Sequence, residues 1–253
     1  MSHFQFIGSN VVRLGRVDST NNYARDLIRD KTSIEGTIIV ADEQTEGRGQ
    51  RSNSWLTEPN KNLTCSYILK PVFLAAKDQF LLSACVALAV FETVSHFVVN
   101  HDIRIKWPND VLIDDRKVAG ILIENSLRGT MLETSIVGIG LNVNQHVFQQ
   151  GLNATSLSSL VEEDIELDKV LEKLSECVEK YYFQLREGKF EAILRNYNDH
   201  LFAANKPRMM SINGHSELVK IAGAKHSGEL ELQRADGTHT LHQHHEIAWN
   251  LDQ

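Results

Sequence analysis

Cysteine, proline and uninterrupted apolar runs are all scarce in this chain. Its 253 residues include only 3 cysteines and 4 prolines. Cys65, Cys85 and Cys177 cannot all pair within one chain, and none sits in a Cys-x-x-Cys motif. Each lies in an apolar or periodic run and reads as a small buried thiol, which sets the expectation of a reducing, cytoplasmic setting. The low proline content, with 42% hydrophobic and 23% charged residues, excludes a disordered chain, collagen and a low-complexity linker. The N-terminus lacks the basic and apolar regions of a secretory signal. The most apolar stretch, residues 80–99, is interrupted by Ser83, Glu92, Thr93, Ser95 and His96. Its apolar core is too short to span a bilayer and reads as a buried helix; no membrane partner is expected. Positive charge is also limited: 26 Lys and Arg against 33 Asp and Glu give a net charge of -7. That balance argues against general nucleic-acid binding and leaves room for a local basic pocket.

The length accommodates one large domain or two unequal ones. Residues 7–14 read as a first strand. Asp18-Ser19-Thr20 then offers capping side chains ahead of Tyr23, Ala24, Leu27 and Ile28, a helical stripe. A β-branched strand over 37–41 precedes a polar, glycine-containing loop over 43–62 with no apolar period, a length at which loops are functional or mobile. Strands are expected at 63–69, around Ile103, Ile105 and Trp107, at 111–113, 118–124 and 134–144. Helices are expected at 80–99, 167–185 and 190–202. The pattern changes at Asn205-Lys206-Pro207. Beyond it, Asn213-Gly214, Ser227-Gly228 and Asp236-Gly237 punctuate short apolar runs, as in an all-β hairpin module too small to stand alone. The division expected is 1–204 and 205–253.

Four segments carry chemistry. Gly47-Arg48-Gly49 lets backbone approach an anion that a guanidinium neutralises, although a solvated polar loop is an equal reading. Lys106-Trp107-Pro108-Asn109-Asp110 places a cation and an acid around a turn at a strand end, which suits a nucleotide with its Mg²⁺; a simple turn competes with that. Lys117 precedes a strand with Gly120 inside it, and Gly138 and Gly140 share one face of another, leaving a slot for a flat or elongated ligand. Bulges or tight helix packing are the plainer explanation for each glycine alone. Together the segments supply glycines, cations and one acid without a Gly-x-Ser-x-Gly or His-Glu-x-x-His motif. Such a set fits positioning and charge stabilisation of a phosphate reaction better than covalent catalysis.

Asp18-Ser19-Thr20-Asn21, Gln44 with Gly47-Arg48-Gly49, Trp55, Lys106 to Asp110, Lys117 to Leu122 and Gly138 to Asn144 occur in an order and spacing that resembles the biotin protein ligases, or biotin–[acetyl-CoA-carboxylase] ligases. The Lys-Trp-Pro-Asn-Asp run followed by Lys-Val-Ala-Gly-Ile-Leu is highly specific to them. The resemblance covers nearly the whole chain. It implies an α+β fold: a catalytic domain similar to class II aminoacyl-tRNA synthetases, with a mixed sheet flanked by helices, then a small SH3-like barrel. It implies that biotin and ATP, with Mg²⁺, form biotinyl-5′-AMP and pyrophosphate, and that biotin then passes to one lysine of a biotin carboxyl carrier domain. Ser19, Thr20, Asn21, Gln44 and Gly47 would form the biotin site, with Gly120 and Leu122 as its wall and Gly138 and Gly140 on the ligand strand. Lys117 would hold the biotin carboxylate and α-phosphate, and Arg48 would neutralise phosphate. Gln50, Arg51, Trp55, Lys106, Asn109 and Asn142 would serve the nucleotide, and Asp110 would stand near the metal or the incoming lysine. Relatives include monomers and dimers, so a homodimer is compatible with this chain. A lipoate or octanoate ligase or transferase shares the fold, but an octanoyltransferase presents a catalytic cysteine, and here the cysteines lie outside the motif loops. A non-catalytic biotin or nucleotide sensor is disfavoured by intact Arg48, Lys106, Asp110 and Lys117.

Two departures from the relatives and one histidine cluster stand out. Some relatives carry an N-terminal winged helix-turn-helix; only 17 residues precede Asp18, so operator binding is not expected. The closely spaced His239, His242, His244 and His245 lack a framing Cys or acidic set and read as an exposed strand. Many relatives have arginine where this chain has Gln50, a residue that helps retain the adenylate. Gln50→Arg is therefore expected to slow adenylate release in a stopped-flow chase, and an unchanged release rate refutes this.

Overall fold

The computed structural model describes residues 6–50 and 54–249, so Arg51 lies outside the described residues. Strands β1 (Val11–Val17), β2 (Ile38–Gln44), β3 (Leu63–Leu69), β4 (Ile103–Lys106), β5 (Asp110–Ile113), β6 (Arg116–Arg128) and β7 (Met131–Leu141) form one mixed sheet. Its order is β1-β2-β3-β7-β6-β5-β4. Only β1 and β2 pair in parallel, through the crossover helix α1 (Thr20–Arg29); every other neighbour is antiparallel.

Alternation along the strands assigns each residue to one of two faces. Ile38, Tyr67 and Val137 point to the larger core, built with α2 (Phe80–Phe97), α4 (Leu167–Arg186) and α5 (Phe190–Asp199). Ile39, Ile68 and Ile136 point to the opposite face, which Ala24, Tyr23, Leu27 and Ile28 of α1 cover. That helix is only ten residues long. Around and beyond its N-terminus the same sheet face carries the glycines of β6 and β7, where Asn21 meets Gly138 and the Trp55 indole meets Gly140.

The apolar stretch from Ala76 to Phe97 is long and apolar enough by composition to cross a membrane, yet most of it is buried inside the fold. It packs between the sheet, α4 and α5, which explains why it is apolar on nearly every side. A short helix, α3 (Ser158–Val161), precedes α4. All three cysteines are buried and unpaired.

A second, five-stranded antiparallel sheet follows: β8 (Pro207–Ile212), β9 (His215–Ala224), β10 (Leu230–Arg234), β11 (His239–His242) and β12 (Ile247–Trp249), in the order β11-β10-β9-β8-β12. Asn213 and Gly214 have φ of 49° and 83°, the left-handed pair that a two-residue hairpin turn demands. This sheet docks on the first through specific bonds. Trp107, 2% exposed, donates its Nε1–H to the Gly228 carbonyl at 3.0 Å. The Asn198 carboxamide accepts from Ala224 N at 2.8 Å and donates to Ala224 O at 3.1 Å.

Several boundaries differ from the sequence reading. β1 starts at Val11 rather than residue 7, because Gly8 turns the chain at φ 96°. β2 continues to Gln44 because β1 pairs with it as far as Val17↔Gln44, so Gln44 ends a strand rather than opening a loop. Leu201 and Phe202 are not helical: they bridge to Ile105 at the sheet edge. Leu88 of α2 is fully buried. Leu88→Ala should cost about 2–5 kcal/mol of unfolding free energy through the cavity it leaves, read as a lowered denaturant midpoint at unchanged slope.

Candidate active site

Strand register assembles the site. Lys106 pairs with Asp110, Asp110 with Gly120, Gly120 with Gly140, and Gly140 with Thr64. One row across five strands therefore runs from a charged edge to a bare centre. Two residues along, Leu122 pairs with Gly138 and Gly138 with Ser66. Above these rows opens a cleft of about 260 Å³. Its walls include Ser19, Thr20, Asn21, Gln44, Arg48, Gln50, Trp55, Lys106, Asn109, Asp110, Lys117, Gly120, Leu122, Gly138 and Gly140.

The end nearest α1 is a hydrogen-bonded polar cage. Gln44 Oε1 accepts from Thr20 N at 2.8 Å and from Thr20 Oγ1 at 3.0 Å, which leaves the amide –NH₂ of Gln44 as a donor. Ser66 Oγ lies 2.7 Å from Thr20 Oγ1 and 2.6 Å from Asn21 Oδ1. Ser19 is the N-cap residue of α1 but makes no side-chain capping bond, so its hydroxyl remains available on the cleft wall. The carboxamide of Asn21 occupies the space that a Cβ at Gly138 would need. Its Nδ2 donates to Glu124 Oε2 at 2.8 Å.

The opposite end is ionic. Lys117 Nζ lies 2.6 Å from Asp110 Oδ1 and 5.6 Å from the centre of the Trp55 ring. Burial, with Lys117 and Arg208 nearby, pulls the Lys106 ammonium below the ordinary lysine value, against the opposing pull of Asp110. Asn109 Nδ2 donates to the Ile121 carbonyl and the Asn109 carbonyl accepts from Ile121 N, each at 2.9 Å, which fastens the turn after the cis Trp107–Pro108 peptide to β6. Trp55 lies across the middle. A Cβ at Gly140 would collide with its indole, and one at Gly120 would sit 3.2 Å from Cζ3 of the ring.

Two residues expected at the ligand take other positions. Asn142 is 4% exposed and donates to the Thr155 carbonyl at 3.1 Å, so its carboxamide anchors the end of β7 rather than the cleft wall. Gly47 is also off the wall. A Cβ there would strike the Trp55 carbonyl, and Gly47 O accepts from Trp55 N at 2.8 Å, closing the loop on itself.

Sequence reasoning passed over two residues and misplaced a third. Ser66 is the hub of the polar cage. Glu124 binds Arg48 at 2.9 Å, Arg25 at 2.7 Å and Asn21, fastening the arginine loop to β6. Its signal was available, since Gly120, Leu122 and Glu124 share one strand face at period two. The third is His244. The exposed-strand reading of the histidines holds for His239 on β11 and is corrected for the others: β11 ends at His242, which is 7% exposed, and a 3₁₀ turn over His244–Glu246 brings His244 to the cleft, edge-on to Trp107 at 5.5 Å. Glu246 accepts from Gln243 N at 2.7 Å and breaks the alternation that the strand reading assumed. Among the described residues there is no group of three or more His, Cys, Asp or Glu side chains able to hold a metal.

Residues 14–142 match the family model described as the Biotin/lipoate A/B protein ligase family, and the chain belongs to that family. The chain is 32% identical over 239 residues to the bifunctional ligase/repressor BirA of Bacillus subtilis, an alignment covering 92% of this chain and 72% of that protein. It is 28% identical over 223 residues to the biotin–[acetyl-CoA-carboxylase] ligase of Mycobacterium tuberculosis, covering 86% and 78%. Among solved structures, the biotin protein ligase of Aquifex aeolicus in complex with biotin and ATP superposes with a TM-score of 0.80 at 25% identity, covering 95% of this chain and 98% of that one.

The glycine row generates a direct test. Gly140→Ala introduces the methyl that the Trp55 indole now excludes. The ring is expected to leave the cleft, read as a red-shifted, more quenchable tryptophan emission relative to wild type.

Proposed function

We propose that the protein is an ATP-dependent biotin protein ligase that activates biotin to biotinyl-5′-AMP and transfers it to a lysine of a carboxylase carrier domain. The observation that carries this reading is the polar cage beside α1 at one end of a glycine-floored slot whose other end is ionic. Biotin's ureido ring has two N–H donors and a carbonyl acceptor. The Ser19 and Thr20 hydroxyls and the Gln44 amide offer matching groups, whereas the dithiolane of lipoate has no use for them. The names of the relatives support the same choice. Cys65, at the cleft, is 1% exposed and its thiol is pushed up to about 12 by burial, which makes it a poor nucleophile for acyl transfer.

In the first step a biotin carboxylate oxygen attacks the α-phosphorus of ATP, and the bond to the bridging oxygen breaks with its electrons leaving on pyrophosphate. Both reactants are anions. Lys117 stands above Gly120, where it meets the carboxylate and the α-phosphate together, and Arg48 approaches from the loop. Trp55 moves from the slot to pack beside the adenylate. Asn109 and Lys106 receive the nucleotide at the ionic end. Asp110 would be the carboxylate that holds a nucleotide-borne Mg²⁺, which would supply charge neutralisation of the phosphates. In the second step the carrier lysine attacks the acyl carbon, AMP departs, and Asp110 accepts or positions the amine's proton. Within this reading residues 1–204 form the catalytic unit and 205–253 an SH3-like barrel.

The test is incubation with ATP, Mg²⁺ and labelled biotin or lipoate, with and without a carrier domain. Label on a carrier lysine from biotin supports the ligase. Label only from lipoate replaces it with the lipoate reading, and label bound but never transferred replaces it with a sensor. Lys117→Ala is expected to lower biotin-dependent pyrophosphate release by at least about 100-fold, the scale of one lost charge-stabilising donor. Near-normal release would refute that role.

A further inference from the structure

We propose that Asn142 is a positioning residue for Lys117: through Thr155 and a bulge at Val118 it sets where the lysine ammonium stands above the glycine floor. The inference rests on the ligase reading and names a residue that serves the activation step without touching a reactant.

Spacing along β6 poses the problem. Lys117 and Gly120 both line the cleft, and a Cβ at Gly120 would sit 3.2 Å from Lys117 Nζ. They are three residues apart, and strict alternation would send them to opposite faces, with Lys117 on the core side beside Ala119. One extra residue resolves this. Ala119 pairs with Val111 and Lys117 with Leu112, so Val118 has no partner on β5. Val118 and Ala119 are consecutive, yet both lie in the larger core. A bulge of this kind re-aims a side chain, and here that side chain is the lysine.

A bulge takes backbone groups out of the ladder, and their partners show what holds it. β7 ends at Leu141, opposite Ala119, and does not reach Lys117. Segment 153–155 takes its place through a parallel bridge between Lys117 and Ala154. Lys117 N donates to Asn153 O, and Thr155 N donates to Lys117 O, each at 2.9 Å. Asn142 ties this segment to the bulge. Its backbone N donates to the carbonyl of the bulged Val118 at 2.8 Å, and its Nδ2 donates to Thr155 O at 3.1 Å. Its own carbonyl accepts from Leu157 N at 3.2 Å. At the outer end Asn153 Nδ2 donates to Asp115 O at 3.2 Å. The lysine stem is flexible, so a fixed backbone is what limits where its ammonium can meet carboxylate and phosphate together.

Three measurements on the whole protein test this: biotin-dependent exchange of pyrophosphate into ATP, the same assay in a Lys117→Ala background, and amide hydrogen exchange without ligand. Asn142→Ala is expected to lower kcat about 10- to 100-fold, the cost of a displacement of up to about 1 Å, with KM for ATP at its wild-type value. Because Asn142 acts through Lys117, the double variant should be no slower than Lys117→Ala alone. The Lys117 and Thr155 amides should exchange at least about tenfold faster, while Ile139 in the same sheet keeps its protection. Asn153→Ala, at the exposed end of the segment, is expected to give the same pattern at about threefold and carries the test if Asn142→Ala does not fold. A raised KM for ATP at unchanged kcat overturns the proposal in favour of a nucleotide contact. Additive losses in the double variant overturn it in favour of general destabilisation, and unchanged protection at Lys117 removes the clamp. If wild type shows no biotin-dependent exchange but Asn142→Ala frees the Lys117 amide, the ligase reading fails and the positioning of Lys117 stands.

Discussion

The register of β6 against β7 is the constraint on which the rest of the site depends. Setting Gly120 opposite Gly140 and Leu122 opposite Gly138 clears a path across the middle of the sheet. A slip of one residue would send every side chain of β6 to the other face, putting Ala119 and Ile121, now in the core, into the cleft. The same register carries Asp110 and Lys106 to one end of the path and Ser66 to the other. Catalytic geometry here is an outcome of strand pairing, and the helix on that face, being short, leaves it open.

Much of this was legible in the chain. Helical and strand periods located the main elements because the core is built on them, and Lys106, Asp110, Lys117, Gly120 and Gly140 stood out because charge and glycine are unusual beside apolar strands. What escaped depends on distance in sequence. Ser66 looks like one hydroxyl within a buried strand, and only the pairing of β3 with β7 brings it under α1. Glu124 acquires its meaning from Arg25 and Arg48, far from it along the chain. His244 was placed on a strand by alternation, whereas a local hydrogen bond from Gln243 to Glu246 bends the chain instead. Asn142 sits within a motif but spends its amide on Thr155, a contact that no local pattern encodes.

The electrostatic layout reconciles an acidic chain with anionic ligands. Cations outside the cleft are dispersed in surface pairs such as Arg13 with Asp168 and Arg234 with Glu217. Inside, the balance is reversed at the end away from α1, where Lys106 and Lys117 share one acid, Asp110. At the end nearest α1 a single acid, Glu124, is shared by Arg25 and Arg48, and the cage itself is built of uncharged hydroxyls and amides. The cleft is thereby graded along its length, from dipoles to charges.

Trp107 has two employments. It belongs to the turn that carries Asn109 and Asp110 into the cleft, and its indole is buried against Gly228 and His244 of the second sheet. The signature run is thus also the rivet between the two halves, which ties the folding of the small sheet to the large one. Damage there would register as misfolding and as lost chemistry together. Variation tolerated in this turn is limited by assembly before it is limited by reaction.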